Sequence, residues 1–478
     1  MKRNLMMMAA LCGALLGPAA PGLAAQTHEH QQSNPSSASP TPGQKTAMPG
    51  MQMNGEGHSP EQPSGPALTL EMLEQMALDR NPTLKQAEAE LRAAEGRKRQ
   101  AGLYPNPTVG YQGQEIRGGS FRGGEHGVFV QQEIVLGGKL GASKSVFEQE
   151  RRQAEVEREE QRLRVMNGVT LAYYQSLAAQ ETVELRASLL KVAQDAAQTA
   201  RQLFNVGQSD EPDVLQAEIE MEEVEQALVE AQQNQQQRWK ALASMTGNPD
   251  LPFSVLAGNL ENVPDLNPEQ WLQAHLTESP AVKIAELGVT RAEAVVTRAR
   301  REPIPDLQVR GGMEQNRELL ETSGRPAGLQ GFVELGIRVP LFNRNQGNIQ
   351  AAKAEAERAR HETQRVQLML RERLAATVQS YLTAKVAVDR YRNRMIPRAE
   401  KAYAFYRQKY SSAAAAYPQV LIAQRTVLQL RADYIRALET LWMNTVVLKG
   451  FMLTDGLEMP TPPGEMDRSI RETSMPQR

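Results

Sequence analysis

The residues near the start of the chain that could do chemistry are imidazoles and thioethers. Thioether sulfur is a soft ligand that suits Cu(I), whereas imidazole suits copper, zinc and nickel. A flexible chain can bring such groups around one ion without a folded site. The pattern predicts a metal-binding tail, and the alternative is a solvated linker whose methionines are incidental. The candidate ligands are His28, His30, Met48, Met51, Met53 and His58.

No catalytic constellation accompanies these ligands. His126, His275 and His361 are scattered along the chain, and there is a single cysteine, Cys12. One cysteine excludes both an intramolecular disulfide and a Cys-based zinc finger. Lys+Arg is 54 and Asp+Glu is 56, and this balance argues against a nucleic-acid binder held by net charge. We therefore expect a chain that is not an enzyme, has no cofactor and binds no nucleic acid.

The two ends of the chain have compositions unlike that of its middle. Residues 1–25 have a basic start, a short apolar run and small residues for cleavage, which predicts a signal peptide. Leu11 precedes Cys12, whereas a lipoprotein signal needs a small residue there, so we expect no lipid anchor. Residues 26–67 are rich in Pro, Gly, Ser and Gln, which predicts disorder. Residues 454–478 are again polar and are expected to form a mobile tail.

The middle of the chain is a tandem duplication. Residues 81–88 match residues 279–286 at an offset of 198, and residues 133–136 match 338–341 at an offset of 205. Further on, 212–215 match 418–421 at an offset of 206. A unit of about 200 residues is too long for a solenoid repeat. We expect a first repeat over 68–247, a linker over 248–268 and a second repeat over 269–453.

The sequence pattern predicts the same order of elements in each repeat: a helix, a β-hairpin, a long helix and a further helix. The hairpins are expected at 104–136 and 305–341, and the long helices at about 142–204 and 348–410. A helix over about 70–102 could break at Pro82. Leu421, Leu428, Ile435 and Trp442 recur at sevens, which is typical of helices that pack lengthwise on neighbours. The fold class is mainly α with a small β part.

Apolar and polar residues alternate along the predicted strands, as in a sheet whose two faces contact different media. From Leu329 to Leu341, apolar residues occupy one face and Gln, Glu and Arg share the other. This period of two fits a strand with lipid on one side and water on the other, and the alternative is a half-buried soluble hairpin. No stretch after the leader is apolar enough for a transmembrane helix. Four strands cannot close in lipid alone, so three copies would share a 12-stranded β-barrel that leaves room for a pore.

The duplicated order of elements resembles that of the TolC-like outer-membrane efflux factors over about residues 68–453. The turn from Phe204 to Ala217 is similar to the helix–helix turn of that family, and Gln132 to Lys139 resembles the strand-to-helix junction of its heavy-metal branch. The resemblance implies a homotrimer whose β-barrel lies in the outer membrane of a Gram-negative bacterium and continues into a periplasmic α-helical barrel. It also implies a periplasmic adaptor (membrane fusion protein) and an inner-membrane resistance-nodulation-division pump as partners, with outer-membrane lipid around the barrel.

The resemblance also assigns the helix–helix turns to the periplasmic tip, where the family binds its adaptor and closes its gate. Asp213 matches a position at which family members place an acidic ring, and Gln419 takes that position in the second repeat, after Ala413 to Ala416. Capping of a helix by Asp210 and Asp213 is the alternative. The residues assigned to the tip, gate and adaptor contact are Val206, Gly207, Ser209, Asp210, Glu211, Asp213 and Gln419.

The expected function is that of a passive exit duct in a tripartite efflux system. Together with the soft ligands of the tail, the resemblance favours heavy-metal cations, first Cu(I) or Ag(I) and then zinc, cobalt or cadmium. Two alternatives stay open. The same duct could export drugs or other organic solutes, or the chain could be a coiled-coil structural protein or adhesin of the cell envelope.

Overall fold

The computed structural model describes residues 67–116, 124–319, 324–411 and 417–458, all of which lie in one compact unit, Gln62–Arg478. The first repeat comprises α1 (Leu70–Arg80), α2 (Pro82–Ala101), β1 (Thr108–Gln114), β2 (Glu125–Ile134), α3 (Lys139–Asn205) and α4 (Glu211–Met245). The second comprises α5 (Pro268–Glu278), α6 (Pro280–Arg301), β3 (Leu307–Leu319), β4 (Pro326–Ile337), α7 (Gln346–Arg390), a π-helix (Tyr391–Met395), α8 (Ile396–Ser411) and α9 (Tyr417–Lys449). The mainly helical, duplicated fold is as predicted.

A proline divides the first helical segment of each repeat in two. Pro82 and Pro280 are the first residues of α2 and α6, where the missing N–H costs nothing because that group has no intrahelical partner. The Asn81 side chain accepts a hydrogen bond from the Thr83 N–H at 3.0 Å and so caps α2. The break at Pro82 therefore separates α1 from α2 without leaving an unsatisfied helix end.

The long helix of the second repeat has the predicted extent but contains a π-helical stretch that the sequence did not predict. The first long helix, α3, is continuous over 67 residues and is about 100 Å long. Its counterpart was predicted over about 348–410, and the structure has a helical run over 346–411 in which the π-helix at Tyr391–Met395 lies between α7 and α8. Buried Val165 and Val169 match buried Leu370 and Leu374 at an offset of 205, whereas the turns match at 206. A π-turn accommodates one extra residue, which explains the change of offset.

The main core forms where the two repeats meet, far from the sheet and from the helical turns. The ring of Tyr174 on α3 stacks on Trp442 of α9, with centroids 3.5 Å apart. Trp442 Nε1 donates to the Leu260 carbonyl at 2.8 Å. Leu256 and Leu260 are buried, so the segment expected to be a linker is part of the core. This packing fixes the second repeat against the first.

The four strands form one antiparallel sheet in the order β1-β2-β3-β4, so that both hairpins pair through β2 and β3. Gly110 and Gly312 lie under the rings of Phe129 and Phe332, which leave no room for a Cβ atom. The rings can therefore lie flat across the neighbouring strands. None of the helices in the described ranges combines the length and the apolarity that crossing a membrane requires.

Candidate functional site: a two-faced sheet and the helical turns

One face of the sheet is apolar and exposed. Val333 on β4 is 79% exposed, and Val109 at the opposite edge, on β1, is 72% exposed. The strand register aligns these side chains in rows that cross all four strands, for example Val109, Val130, Gly311 and Val333. A soluble sheet would cover such a surface with a helix or a second sheet. The face is therefore built to contact an apolar medium.

The opposite face of the sheet is polar and is organised around Arg310. The guanidinium of Arg310 lies 4.2 Å from the ring centroid of Phe129 and 5.6 Å from that of Phe332. It also donates a hydrogen bond to Gln112 and forms an ion pair with Glu334 at 3.6 Å. The two rings cover part of the guanidinium and hold it by cation–π attraction. This face is suited to water, and its aromatic groups serve to position the charge.

The edges of the sheet carry unsatisfied backbone groups. In the described part of the chain, β1 pairs only with β2, and β4 pairs only with β3. An apolar medium cannot hydrogen-bond the free N–H and C=O groups of an edge strand, so an open edge there costs several kcal/mol for each group. A sheet with one lipid-facing surface therefore requires further strands from other copies of the chain.

The turn between α3 and α4 is a compact C-terminal helix cap. Gly207 has a φ of 72°, the left-handed conformation in which glycine is favoured. The Gly207 N–H donates to the Phe204 carbonyl at 3.0 Å, and the Gln208 N–H donates to the Leu203 carbonyl at 2.8 Å. Val206, at the tip of this turn, is 69% exposed. The turn therefore presents an apolar side chain to the outside on a backbone that these hydrogen bonds hold in place.

The acidic residues after this turn do not cap α4 with their side chains. Asp210 is the N-cap residue, but its side chain makes no capping hydrogen bond, and only its carbonyl accepts from the Asp213 N–H at 3.1 Å. The Ser209 hydroxyl donates to Asp213 Oδ2 at 2.9 Å and so orients that carboxylate. Glu211, in the first turn, is exposed. All three acids face the positive end of the helix dipole.

Several predicted site residues are not brought together by the described structure. Gln419 is exposed near the start of α9, while Ala413 to Ala416 lie outside the described residues. The proposed tail ligands His28, His30, Met48, Met51, Met53 and His58 also lie outside them. Within the described ranges, no group of three or more His, Cys, Asp or Glu side chains could hold a metal ion.

Two titratable groups away from the sheet and the turns have strongly perturbed environments. The Lys98 ammonium, 2.7 Å from Glu148, and the neighbouring Arg151 lower the pKa of Glu148 to about 2. His275 is completely buried beside Trp271 and Phe451, and burial lowers its pKa. Its Nδ1 lies 2.8 Å from the Trp271 carbonyl. Both groups bind structural partners, so we assign them to stability rather than to transport.

A sheet with one lipid-facing surface and unpaired edges, joined to helices of about 100 Å, defines a channel subunit of the bacterial outer membrane. The family model of outer membrane efflux proteins matches residues 73–248 and 271–446, one match in each repeat. The chain belongs to this family. It is an outer-membrane channel with a periplasmic helical extension, in a family that forms trimers within tripartite systems.

Curated relatives and solved structures agree with this assignment. The chain is 28% identical over 379 residues to the cobalt-zinc-cadmium resistance protein CzcC of Cupriavidus metallidurans, covering 79% of this chain and 88% of the relative. It is 24% identical over 302 residues to the nickel-cobalt-cadmium resistance protein NccC of Alcaligenes xylosoxydans xylosoxydans, covering 62% and 67%. The structure of CusC matches with a TM-score of 0.67 and 17% identity, covering 80% and 91%. VceC of Vibrio cholerae matches with a TM-score of 0.64 and 19% identity, covering 81% and 96%.

The family assignment confirms the predicted fold class, the outer-membrane location and the expectation of a channel rather than an enzyme. It excludes the alternative of a coiled-coil adhesin or structural spacer. Sequence reasoning missed the Arg310 cluster. Its signal lay in glycines that alternate with aromatic and charged residues on adjacent strands, and without the strand register these residues could not be placed side by side.

Proposed function

We propose that three copies of the chain form a passive exit duct for heavy-metal cations. Three sheets of four strands would pair edge to edge and close a twelve-stranded wall, with the apolar faces outward and the Arg310 faces inward. The observation that carries this proposal is the combination of an exposed apolar face with unpaired edges at β1 and β4. Closure supplies hydrogen-bond partners to the free edge groups and lipid to the apolar face.

The acidic turns support cations as the cargo. A threefold assembly would bring three copies of Asp210, Glu211 and Asp213 around one axis at the end of the helices. Carboxylates that converge in this way attract cations, and the attraction is weakened by salt. Ser209 holds Asp213 in one orientation, so the carboxylate is already placed for this role. At the level of Asp213 the ring would contain three carboxylates, one from each copy, because the equivalent residue of the second repeat is the neutral Gln419.

The identity of the metal is proposed from two sources that differ. The names of CzcC and NccC refer to cobalt, zinc, cadmium and nickel resistance, which favours divalent cations. The thioether and imidazole groups of the tail favour Cu(I) or Ag(I). Because the relatives match the folded repeats, we place cobalt, zinc and cadmium first and keep the soft monovalent ions as the cargo that the tail would select.

A deletion strain tests the cargo. Growth is measured in graded cobalt, zinc, cadmium, copper and silver, and also with organic antibiotics, after complementation with three variants: the intact gene, a form lacking residues 26–60, and Asp213→Asn. We expect the intact gene to restore metal tolerance, the tail deletion to reduce copper and silver tolerance alone, and Asp213→Asn to reduce tolerance to every exported cation. Restored antibiotic tolerance without any effect on metals would refute the metal proposal and favour the organic-solute alternative.

The adaptor is proposed to contact the turn formed by Val206, Gly207 and Ser209, and the adaptor would in turn bind an inner-membrane pump of the resistance-nodulation-division type. A photo-crosslinking amino acid at Val206 should capture a periplasmic adaptor protein. The matched control is Lys240, which is exposed near the other end of α4, far from the turn. Equal capture from both positions would contradict the assignment of the turn as the docking site.

A further inference from the structure

The order in which the long helices pack leaves two helices at the rims of the chain. In the described residues, α4 packs along α3, α3 packs against α9, and α9 packs against α7, the π-helix and α8. Ion pairs from Arg425 to Glu220 at 2.7 Å and from Arg238 to Glu439 at 3.8 Å link α4 to α9 on one side only. The far side of α4 and the far side of α8 therefore have no neighbour among the described residues of their own chain.

The duplication identifies which surface of α4 lacks a neighbour. On α9, the residues spaced by seven that face α3 include Leu421, Leu428, Ile435 and Trp442, and all four are buried or half-buried. At the offset of 206, their counterparts on α4 are Leu215, Glu222, Val229 and Gln236, which are all exposed. We call these four residues the α4 stripe. Two of its residues, Leu215 and Val229, are apolar at a spacing of two heptads, and no helix in the described part of the chain covers them.

The same comparison identifies the surface that should receive the α4 stripe. On α3, Leu189, Val192 and Ala196 line the crevice that also contains Leu421 and Leu428 of α9. Their counterparts at the offset of 206 are Met395, Arg398 and Ala402, at the end of the π-helix and in α8. We call these three, together with Phe405, the α8 stripe, and all four residues are exposed, Phe405 by 64%.

We infer that α4 of one copy packs on the α8 stripe of the next copy, in the way that α9 packs on α3 within the chain, and that Glu222 pairs there with Arg398. This inference rests on the proposed trimeric duct and adds the residues that join its copies. Leu428 and Val192 line one crevice within the chain, whereas Glu222 and Arg398 occupy the equivalent positions between copies. Neither Glu222 nor Arg398 has an ion pair within the described part of its own chain.

The charges of the two rims are complementary well beyond this pair. Residues 211–230 of α4 contain eight Asp or Glu and no Lys or Arg, whereas residues 391–411 contain six Lys or Arg and one Glu. Two acidic rims repel each other, as do two basic rims, whereas an acidic rim attracts a basic one. This favours a head-to-tail ring over a face-to-face dimer. A second copy of this chain is therefore the occupant that best fits the α4 stripe.

The vertical register of this contact follows from ion pairs within the chain. Arg201 pairs with Glu218 at 2.7 Å, and Arg431 pairs with Glu400 at 2.7 Å, so antiparallel neighbours meet at similar distances from their turns. Rotation about an axis parallel to the helices keeps the turns of all copies at one level. Ile219, on the same side of α4 as the stripe, is then level with Phe405 of the next copy.

Disulfide trapping tests the contact. In full-length protein with Cys12→Ser, we combine Ile219→Cys with Phe405→Cys and oxidise the protein in outer membranes. The expected result is a ladder of covalent dimers and trimers on a denaturing gel. Ile219→Cys with Ile422→Cys is the matched control, because Ile422 is also exposed but lies on α9, and it should give no ladder. A ladder from the control alone, or from both pairs equally, would overturn the inference.

Charge reversal tests the ion pair in the same assay. Glu222→Lys and Arg398→Glu should each lower the yield of trapped trimer by about threefold per interface, and the double reversal should restore it. Arg407 lies on the side of α8 opposite to Arg398, so Arg407→Glu should neither reduce the yield nor rescue Glu222→Lys. Trimers that form without the Ile219–Phe405 disulfide would overturn this interface and leave the duct intact, whereas a chain that stays monomeric in detergent would overturn both.

Discussion

Substitution of Val333 by Lys is the most direct test of which side of the sheet faces lipid. Val333 lies in the third of the five rows of side chains on the apolar face, aligned with Gly311 and Val130. Four intervals of two residues at about 3.3 Å per residue place the outermost rows about 26 Å apart along the strands. With a strand tilt of about 40° this becomes about 20 Å, so the middle row lies near the centre of an outer-membrane bilayer.

The expected cost follows from this depth. A lysine at the midplane of an outer-membrane barrel costs about 2–4 kcal/mol per copy, which is a factor of about 30 to 900 in the folding equilibrium. On the exposed surface of a soluble protein the same change would cost less than about 0.5 kcal/mol. The two environments therefore predict effects of clearly different size for one side chain.

The assay is guanidinium-induced unfolding of protein inserted in lipid vesicles, together with the yield of trimer extracted from outer membranes. Gln330→Lys is the matched control, because it adds the same charge to the same strand on the polar face, opposite Glu314. We expect Val333→Lys to lose most of its inserted trimer and Gln330→Lys to lose little. Normal insertion of Val333→Lys, or an equal loss in both variants, would show that the apolar face does not contact lipid.

Three further changes test the helical part of the fold. Because the pKa of Glu148 is lowered from 4.5 to about 2, its ionised form stabilises the fold above pH 4.5, and this contribution is lost as the pH falls towards 2. Glu148→Gln should therefore flatten the dependence of the free energy of unfolding in urea on pH over this range. An unchanged slope would contradict the role of Lys98. Burial lowers the pKa of His275 below 6.5, so the unfolded chain binds the proton more readily and the stability of the fold decreases as the pH drops below 6.5. In thermal unfolding between pH 7.5 and 5.5, His275→Asn should remove this decrease. An undiminished decrease would show that another group causes it. Deletion of Asn393 from the π-helix should restore an α-helix at little cost in stability. Deletion of Ser380 rotates the buried Tyr381 and should cost about 3–5 kcal/mol. Equal losses, measured by circular dichroism, would contradict the one-residue insertion.

The order of elements could be predicted from the sequence because it depends on short-range patterns. Pro82 and Pro280 mark helix starts, residues spaced by seven mark packed helices, and the alternation after Leu329 marks a strand with two unlike faces. Each pattern is set by local geometry that the backbone repeats every two or every 3.6 residues. The capping role considered for Asp210 and Asp213 was less predictable, because the spacing fits a cap while the Ser209 hydroxyl competes for the Asp213 carboxylate.

Features that depend on contacts distant in the chain could not be predicted in this way. Residues 248–268 have the composition of a linker, but Leu260 is fully buried and its carbonyl accepts from Trp442, 182 positions further on. The Arg310 cluster joins side chains from all four strands. The π-helix did leave a sign in the sequence, since the repeat offset changes from 205 to 206, but an offset alone does not tell a loop insertion from a helical one.

The two copies of the repeat also show why a heptad pattern does not identify its partner. The residues spaced by seven on α9 and on α4 occupy equivalent positions of the two repeats, yet those on α9 pack against α3 and those on α4 are exposed. The difference lies in the substituents: where α9 has Leu428, α4 has Glu222, and where α3 has Val192, α8 has Arg398. An apolar residue on each side of a seam can be buried as soon as the chain folds, whereas opposite charges tolerate water until a second copy arrives. Under the proposed contact between copies, the exchange of one apolar pair for a charged pair at one of two equivalent seams would let the chain fold first as a monomer and close its ring afterwards.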